Sequence, residues 1–209
     1  MAKKVCIIGG NASYIRMFKD AGFEIAGAGV LDADLICFTG GEDVSPELYG
    51  DKAHPLTGNN PYRDEAEKAV YDQCRTLGIP MVGICRGGQF LNVMNGGRMY
   101  QHVLRHTQDH VLIDSRTGET IWVTSTHHQM IMPTEAGIII ATANQQGVRE
   151  WFEGEVFKRD ISDQDIEVVW YDATKTLCFQ PHPEFSSEEG TRHRAYFFEL
   201  ISELLEVTP

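Results

Sequence analysis

The sequence predicts an α/β fold of the flavodoxin-like, doubly wound type, with a mostly parallel central sheet, flanking helices and a small antiparallel insertion. Two observations predict it. Short apolar runs such as "KKVCIIGG" and "DLICFTGG" end in paired glycines, as buried parallel strands do where their carboxyl ends open into loops. Helical patterns alternate with such runs in the first half of the chain. We expect one domain over residues 1–209, because this length suits a single core.

The first half of the chain repeats the order strand, helix, strand. After "KKVCIIGG", the segment "ASYIRMFKDAG" predicts a helix that Gly22 closes. A second helix begins near Arg63, and its predicted buried stripe consists of Ala66, Val70, Cys74 and Leu77. Gly78-Ile79-Pro80 ends that helix before the strand "MVGIC".

In the second half of the chain the predicted strands no longer alternate with helices. "HVLIDSRTGETIWVTS" predicts two strands around a Thr117-Gly118 turn, which is the antiparallel insertion, and "GIIIATAN", "IEVVWYD" and "TLCFQ" predict later strands. Ser186 and Glu189 fit a capping box at the start of the last helix. That helix is predicted to end near Glu206 and to bury Phe197, Leu200, Ile201, Leu204 and Leu205.

The charge balance excludes some classes of partner. A formal net charge of -12 provides no basic field that would attract nucleic acid or an anionic membrane. No apolar run approaches the roughly 20 residues of a membrane span, and "MAKKVCIIGG" is too short for a secretory signal. We therefore expect a cytoplasmic protein that binds small molecules or other proteins, and the sequence leaves a homodimer open.

The five cysteines are odd in number and form no C-x-x-C pair. This pattern predicts neither a disulfide framework nor a cysteine zinc site. Four of them are expected to be structural: Cys6, Cys37, Cys74 and Cys178.

The fifth cysteine lies in "VGICRGGQ", where a strand should turn into a helix. Gly83 and Gly87 flank Cys85 in the pattern G-x-C-x-G, the cysteine form of a nucleophile elbow. The free N–H groups and positive dipole end of the following helix favour a thiolate and can bind an oxyanion. The alternative is a buried structural cysteine beside a sharp turn.

A cysteine nucleophile needs a base and a group that orients the base, and "FQPHPEF" offers both. His182 and Glu184 are separated by one residue, so their side chains point the same way if the segment is extended. The alternative is a surface pair. The position of the segment after the strand "TLCF" favours a site, because ligands bind at the carboxyl edge of such sheets.

Histidines in a second region raise the alternative of a metal site. His102, His106 and His110 recur every four residues, and His127 and His128 follow, so imidazoles could share one helix face. The intervening residues change into a strand pattern, however, and ligands spread over two turns converge poorly on one ion. We therefore predict no metal site and no cofactor.

The motif "GICRGGQ" and the distant "HPE" resemble the class I glutamine amidotransferases, whose elbow reads G-x-C-x-G-x-Q. Within that superfamily, "GGEDVSPELYG", "YRDEAE" and "STHHQM" look most like the γ-glutamyl hydrolase branch, which includes the γ-glutamyl-aminobutyrate hydrolases. The similarity runs in order from Gly40 to Glu184. It departs at Pro181, where the family usually has an aromatic residue, and "EWFEGEVFKRDISDQDIE" has no counterpart.

The resemblance implies a role for eight residues. Cys85 would be the nucleophile, His182 the acid and base, and Glu184 its orienting partner. The oxyanion hole would use Gly41 and the backbone N–H of Arg86, and the substrate would be bound by Gly40, Gln89 and His128. The implied substrate is glutamine or another γ-glutamyl amide.

Three functions stay open at this point. The chain could be a free-standing γ-glutamyl hydrolase that also accepts glutamine. It could be a glutaminase subunit that delivers ammonia to a separate synthetase partner. It could also be an inactive binding module, although all three triad residue types are present.

Overall fold

A nine-stranded mixed sheet lies at the centre of the protein. The computed structural model describes residues 2–27, 29–185 and 191–209. Its helices are α1 Ala12–Asp20, α2 Pro61–Leu77, α3 Arg86–Met94 and α4 Thr191–Leu204. Its strands are β1 Lys4–Ile8, β2 Glu24–Ile25, β3 Leu35–Phe38, β4 Met81–Ile84, β5 Arg98–Tyr100, β6 His102–Val103, β7 His110–Asp114, β8 Thr120–Val123, β9 Met130–Met132, β10 Ile138–Ala143, β11 Val148–Glu153, β12 Val156–Ile161, β13 Ile166–Tyr171 and β14 Thr176–Phe179.

The order of strands across the main sheet is β2-β1-β3-β4-β14-β13-β10-β7-β8. Neighbours from β2 to β14 are parallel, and those from β14 to β8 are antiparallel. The adjacent strands β3, β4 and β14 are fully buried. Because these three strands are adjacent and parallel, their carboxyl ends lie side by side. The loops that follow them meet at one edge of the sheet.

The predicted α/β fold class is confirmed, with one change in where the antiparallel part lies. The hairpin of β7 and β8 pairs with β10 and so extends the main sheet. Smaller antiparallel sheets are formed by β6, β11 and β12, and by β5 and β9. The segment that had no counterpart in the resemblance thus supplies β11, β12 and part of β13.

Two apolar clusters cover the sheet. Alternate residues of β3 belong to different clusters, Leu35 and Cys37 to one and Ile36 and Phe38 to the other. Because successive side chains of a strand point to opposite faces, the clusters lie on the two sides of the sheet. Residues of α1 and α4 belong to the first cluster, and residues of α2 and α3 to the second.

The predicted buried stripe of α2 is only partly right. Cys74 is buried and Val70 half-buried, but Ala66 and Leu77 are exposed. The buried face instead carries Asp64, Glu67, Tyr71 and Cys74. Two carboxylates replace apolar residues there because they pair with a buried arginine, which is described below.

The last helix and the cysteines follow the sequence closely. Helix α4 ends at Leu204, and the predicted stripe is buried apart from Leu204, which is half-buried. The predicted capping box of Ser186 and Glu189 lies outside the described residues. All five cysteines lie within them and are buried and free. No helix in the described ranges is long and apolar enough to cross a membrane.

Candidate functional site

Cys85 occupies a strained turn between β4 and α3. Its φ of 52° and ψ of -114° are unfavourable for a residue other than glycine, as the sequence predicts for an elbow. A Cβ on Gly83 would lie 2.3 Å from the carbonyl of Gly87, and one on Gly87 would lie 2.1 Å from the oxygen of Phe38. Gly83 is therefore required for β4 to pack against the start of α3, and Gly87 for α3 to pack against β3.

His182 and Glu184 meet in the loop after β14. The ring nitrogen Nδ1 of His182 lies 2.7 Å from Oε1 of Glu184. The segment is not extended, because Pro183–Phe185 form a short 3-10 turn, and this turn still brings the two side chains together. The ring of Phe185 stacks on the imidazole with centroids 4.8 Å apart.

The loop Thr124–Thr126 holds His182 from the other side. The backbone N–H of His182 donates to the carbonyl of Thr124, and the Thr124 hydroxyl donates to the carbonyl of His182. The second ring nitrogen, Nε2, lies 3.0 Å from Oγ1 of Thr126. The imidazole is thus fixed through its backbone and through both ring nitrogens.

The charge of His182 depends on Cys85 and Glu184. Burial disfavours the imidazolium, but hydrogen bonds to the side chains of Cys85 and Glu184 outweigh this effect and raise the pKa of His182 to about 10. At neutral pH the imidazole is therefore protonated next to the sulfur, and it can give its proton to a leaving group.

The Gly40-Gly41 turn after β3 lies against the same histidine. A side chain on Gly40 would lie 3.2 Å from Cε1 of His182 and 3.7 Å from Cβ of Cys85, so glycine leaves room for both. The N–H of Gly40 donates to the hydroxyl of Tyr14. Burial and the nearby carboxylate of Glu184 raise the pKa of Tyr14, which stays neutral.

The side chain of Arg63 holds the Gly40-Gly41 turn in place. Its guanidinium donates to the carbonyls of Thr39 and Gly40, each at 3.0 Å, and to the carboxylate of Glu67. Gly41 has a φ of +148°, and an added Cβ would lie 2.0 Å from Nη1 of Arg63. A side chain at Gly41 would therefore displace the arginine that fixes the loop.

Arg86 anchors the elbow to the same helix. Its side chain is 1% exposed and pairs with the carboxylates of Asp64 and Glu67 on α2. Arg63 also contacts Glu67, so one carboxylate connects the turn after β3 to the start of α3. Only the backbone of Arg86 is left for a role at the elbow.

A cavity of about 410 Å³ opens above the sulfur. Of the eight residues predicted from the sequence, five line it, namely Gly41, Cys85, Gln89, His128 and His182. The other three, Gly40, Arg86 and Glu184, are not among its lining residues. The structure thus brings the predicted residues together around one cavity, although only some of them face it.

Gln89 and His128 both line this cavity. The amide Nε2 of Gln89 donates to the carbonyl of Gln129 and to Oε1 of Gln180, so it ties α3 to the loop after β8. His128 Nε2 lies 3.1 Å from Oδ1 of Asp43, and this contact raises the pKa of His128. Asp43 also lines the cavity, which places a carboxylate and an imidazole at its rim.

The histidines considered for a metal are not on a helix. His102, His106 and His110 lie on or between β6 and β7. His106 and His110 nevertheless converge with His127 on the buried carboxylate of Glu167, whereas His102 stacks on His54. The reason given for expecting no metal site, poor convergence, therefore does not hold.

Sequence reasoning missed Tyr14, Arg63, Thr126 and Glu167. Arg63, Asp64 and Glu67 were visible only as part of "YRDEAE". Thr126 was visible only as part of "STHHQM", and nothing local marked Tyr14 or Glu167. Their partners lie far away in sequence.

Solved structures with the same architecture define the fold class. A chain of the PurLQS structure from Thermotoga maritima superposes with a TM-score of 0.67 at 19% identity, covering 98% of this chain and 100% of that one. A glutamine amidotransferase from the same organism gives a TM-score of 0.62 at 14% identity, covering 99% of this chain and 90% of that one. The fold is that of the class I glutamine amidotransferases.

Residues 5–184 match the Peptidase C26 family, and the chain belongs to that family. The glutamine amidotransferase-like protein YvdE of Lactococcus lactis is 33% identical over 141 residues, which cover 57% of this chain and 60% of that protein. The carbamoyl phosphate synthase small chain of Helicobacter acinonychis is 29% identical over 131 residues, 63% of this chain and 30% of that protein. The chain spans 47% to 67% of the first curated relatives it matches.

Proposed function

We propose that this chain hydrolyses a γ-glutamyl amide bond through a thioester on Cys85. The sulfur attacks the γ-carbonyl carbon, the C–N bond breaks, and His182 gives its proton to the leaving amine. Water then attacks the thioester, His182 accepts a proton from it, and glutamate leaves as the sulfur is released. Glu184 orients the imidazole and stabilises its positive charge.

The observation that carries this proposal is the placement of Cys85. It lies at a strained elbow, at the start of α3, beside His182 and at the floor of a cavity. A buried structural cysteine needs neither an unfavourable backbone nor an imidazole partner. Cys6, Cys37, Cys74 and Cys178 lack these features and serve as internal controls.

The oxyanion hole we propose uses backbone N–H groups of Gly41 and Arg86. The charged network of Arg63, Arg86 and Glu67 fixes both loops before substrate binds. Donors that are fixed in advance need no reorganisation when negative charge develops on the carbonyl oxygen. Gly40 has a supporting role instead, because its N–H donates to Tyr14.

We assign the α-amino acid end of the substrate to the cavity rim. Asp43 offers a carboxylate for the substrate ammonium. The side chains of His128 and Gln89 bind the other polar groups of the substrate. A small γ-glutamyl compound fits a cavity of this size. The leaving amine is the part that differs between glutamine and the larger γ-glutamyl amides.

The test is turnover by the purified chain. Ammonia release from glutamine and amine release from γ-glutamyl-aminobutyrate are measured with no partner present, and a rapid acid quench is followed by peptide mass mapping. We expect turnover of both substrates and a γ-glutamyl group on Cys85. The absence of any turnover and of any modified cysteine would favour an inactive binding module.

A second candidate is a glutaminase subunit with a separate synthetase partner. The match to the carbamoyl phosphate synthase small chain of Helicobacter acinonychis favours it. Such a subunit should hydrolyse glutamine slowly when alone, should accelerate when its synthetase is added, and should reject bulky leaving amines. Fast cleavage of γ-glutamyl-aminobutyrate without a partner would exclude this role. The cytoplasmic location, the single domain and a homodimer stay predictions.

A further inference from the structure

Four side chains from distant parts of the chain form a second buried cluster. His106 precedes β7, His110 begins it, His127 follows β8, and Glu167 lies in β13. We call these four residues the triple-histidine cluster. All four are at most 5% exposed. None of them has a role in the proposed hydrolysis, so their convergence requires another explanation.

The cluster is centred on one carboxylate oxygen. Oε1 of Glu167 lies 2.9 Å from Nδ1 of His106, 3.3 Å from Nε2 of His127 and 3.4 Å from Nε2 of His110. One atom from each of the four residues can be chosen so that all lie within 4.8 Å of one another. Among the described residues, these three nitrogens and both oxygens of Glu167 lack a hydrogen bond of acceptable direction. Leaving so many buried polar atoms unpaired is costly.

The outer nitrogens of the same imidazoles are all paired. Nε2 of His106 lies 2.8 Å from Oδ2 of Asp165. Nδ1 of His110 lies 3.0 Å from the carbonyl of Gln108, and Nδ1 of His127 lies 2.9 Å from the carbonyl of Gln129.

If all three imidazoles are neutral, this pairing fixes which nitrogen of each ring carries the hydrogen. Carbonyl and carboxylate oxygens only accept, so each outer nitrogen carries the hydrogen of a neutral imidazole. Each inner nitrogen then presents a lone pair to the carboxylate of Glu167. Three lone pairs and a negative charge in one buried space repel each other unless a cation lies between them.

We propose that the triple-histidine cluster binds a zinc-class divalent cation. Three imidazoles and one carboxylate are a donor set that zinc uses, and outer oxygens commonly orient such histidines. A tetrahedral ion with bonds of about 2.05 Å requires ligand atoms about 3.3 Å apart. The three nitrogen to oxygen distances of 2.9 to 3.4 Å are close to that value, and all four ligand atoms lie within 4.8 Å of one another, so small side-chain shifts complete the geometry. Four protein ligands make a closed site, so the ion has a structural role.

The metal would fix the loop that borders the candidate active site. His127 lies between Thr126, which contacts His182, and His128, which lines the cavity. Ser125 in the same loop donates to the carbonyl of His106. Metal binding would therefore join the β6–β7 connection to the loop after β8 and hold Thr126 in place.

The competing state contains a proton instead of a metal. If His106 is doubly protonated between Asp165 and Glu167, the cluster carries its own positive charge. That state predicts no metal affinity. The two states therefore differ in a direct binding measurement.

The experiment uses the full chain with Cys85→Ser, so that the ion has no thiol to bind in the cavity. The protein is stripped with a chelator and titrated with Zn²⁺ in competition with a chromogenic chelator, and then with Co²⁺ as a spectroscopic probe. We expect one tight zinc equivalent, a rise in melting temperature on adding zinc, and a tetrahedral Co²⁺ spectrum without a sulfur charge-transfer band.

Two variants and a matched control locate the site. Glu167→Gln and His110→Gln should each weaken zinc binding by about 100-fold or more, because each removes one ligand. His102→Gln, a nearby histidine outside the cluster, should leave it unchanged. Binding that is not stoichiometric in the parent protein, or that survives both variants, overturns the proposal. If a variant does not fold, the Cys85→Ser protein alone is the test. The proposal is overturned if zinc does not raise the melting temperature of that protein.

Discussion

The two histidine and carboxylate sites of this protein use the same residue types in opposite ways. At the candidate active site one imidazole, His182, has one carboxylate partner, and a cavity opens beside it. In the triple-histidine cluster three imidazoles surround one carboxylate, and their inner nitrogens face each other. The first arrangement can exchange a proton with a reactant. The second is closed inside the protein, and we propose that it retains a cation.

The largest effect should come from the sulfur. Cys85→Ala should lower kcat by more than about a thousandfold, since losing a triad member normally costs at least that much. The melting temperature should change little, because the side chain faces a cavity. Steady-state kinetics and thermal melts give the two readings.

The matched control is Cys178→Ala on β14, which is fully buried in the core. It should keep the rate and lose about 1 kcal/mol of stability. Loss of activity in the control, or survival of more than about a thousandth of the rate in Cys85→Ala, would contradict the assignment.

The second prediction compares a variant of the candidate active site with a variant of the triple-histidine cluster. Glu184→Gln should lower kcat by about a hundredfold with little effect on zinc content, because the amide holds the imidazole but loses the charge that supports it. Glu167→Gln should lose zinc and lower kcat by no more than about tenfold, the loss expected when Thr126 is no longer held against His182. His182→Ala should be nearly as damaging as Cys85→Ala. Parallel metal analysis and kinetics of these variants decide whether the two sites are distinct.

The third prediction concerns pH. His182 acts as an acid only while protonated, and its pKa is raised to about 10. We therefore expect kcat/KM to be maintained as pH rises from 7 to about 9 and to fall near pH 10.

Glu184→Gln should move that fall to lower pH, because it removes one of the groups that raise the pKa of His182. Two results would count against a proton held between Cys85 and Glu184. One is a profile that falls near pH 7 in the unmodified protein, and the other is a profile that Glu184→Gln does not move.

A smaller effect is expected where the two sites share a loop. Thr126→Val removes the hydroxyl near Nε2 of His182 and keeps the shape of the side chain. The rate should fall by about tenfold, in line with one lost hydrogen bond to a charged group. Zinc affinity should stay the same, because the neighbouring His127 keeps its own contacts. A loss of zinc in this variant would mean that the loop moves as one unit with the cluster.

The smallest prediction concerns substrate binding. Gln89→Ala should raise KM more than it lowers kcat if its contact is the same in the ground state and the transition state. The variant also removes the bond from α3 to the carbonyl of Gln129, so zinc affinity serves as a check on the loop. A lower kcat at constant KM would place Gln89 in the chemical step instead.

Local patterns predicted the elbow and every strand of the main sheet except β2. The short strands β2, β5, β6 and β9 were not predicted. Buried strands are runs of β-branched residues, and the elbow is a short motif whose glycines are needed for close packing. The 148–161 strands escaped prediction because they are mostly half-exposed or exposed and carry little apolar pattern. The short motifs that contain Cys85, His182 and Glu184 likewise marked the candidate site.

Long-range convergence was beyond sequence reasoning. Glu167 is 61 residues from His106 and 40 from His127, and only the sheet order brings β13 close to β7 and the loop after β8. The buried face of α2 was missed for a different reason. Ranking residues by hydrophobicity excludes Asp64 and Glu67 from a core, and their burial makes sense only with Arg86 between them.

Arg63 and Arg86, which lie under the strand ends, also affect how this protein could be redesigned. Helix α2 supports both loops that we assign to the oxyanion hole, through Arg63 on one side and Arg86 on the other. Cavity-lining residues outside the assigned substrate contacts, such as Leu56, can therefore be exchanged to accept a new leaving group while these supporting contacts stay intact. Randomised libraries should leave Asp64 and Glu67 unchanged, because a change there alters both loops at once and removes activity before any new specificity can be selected.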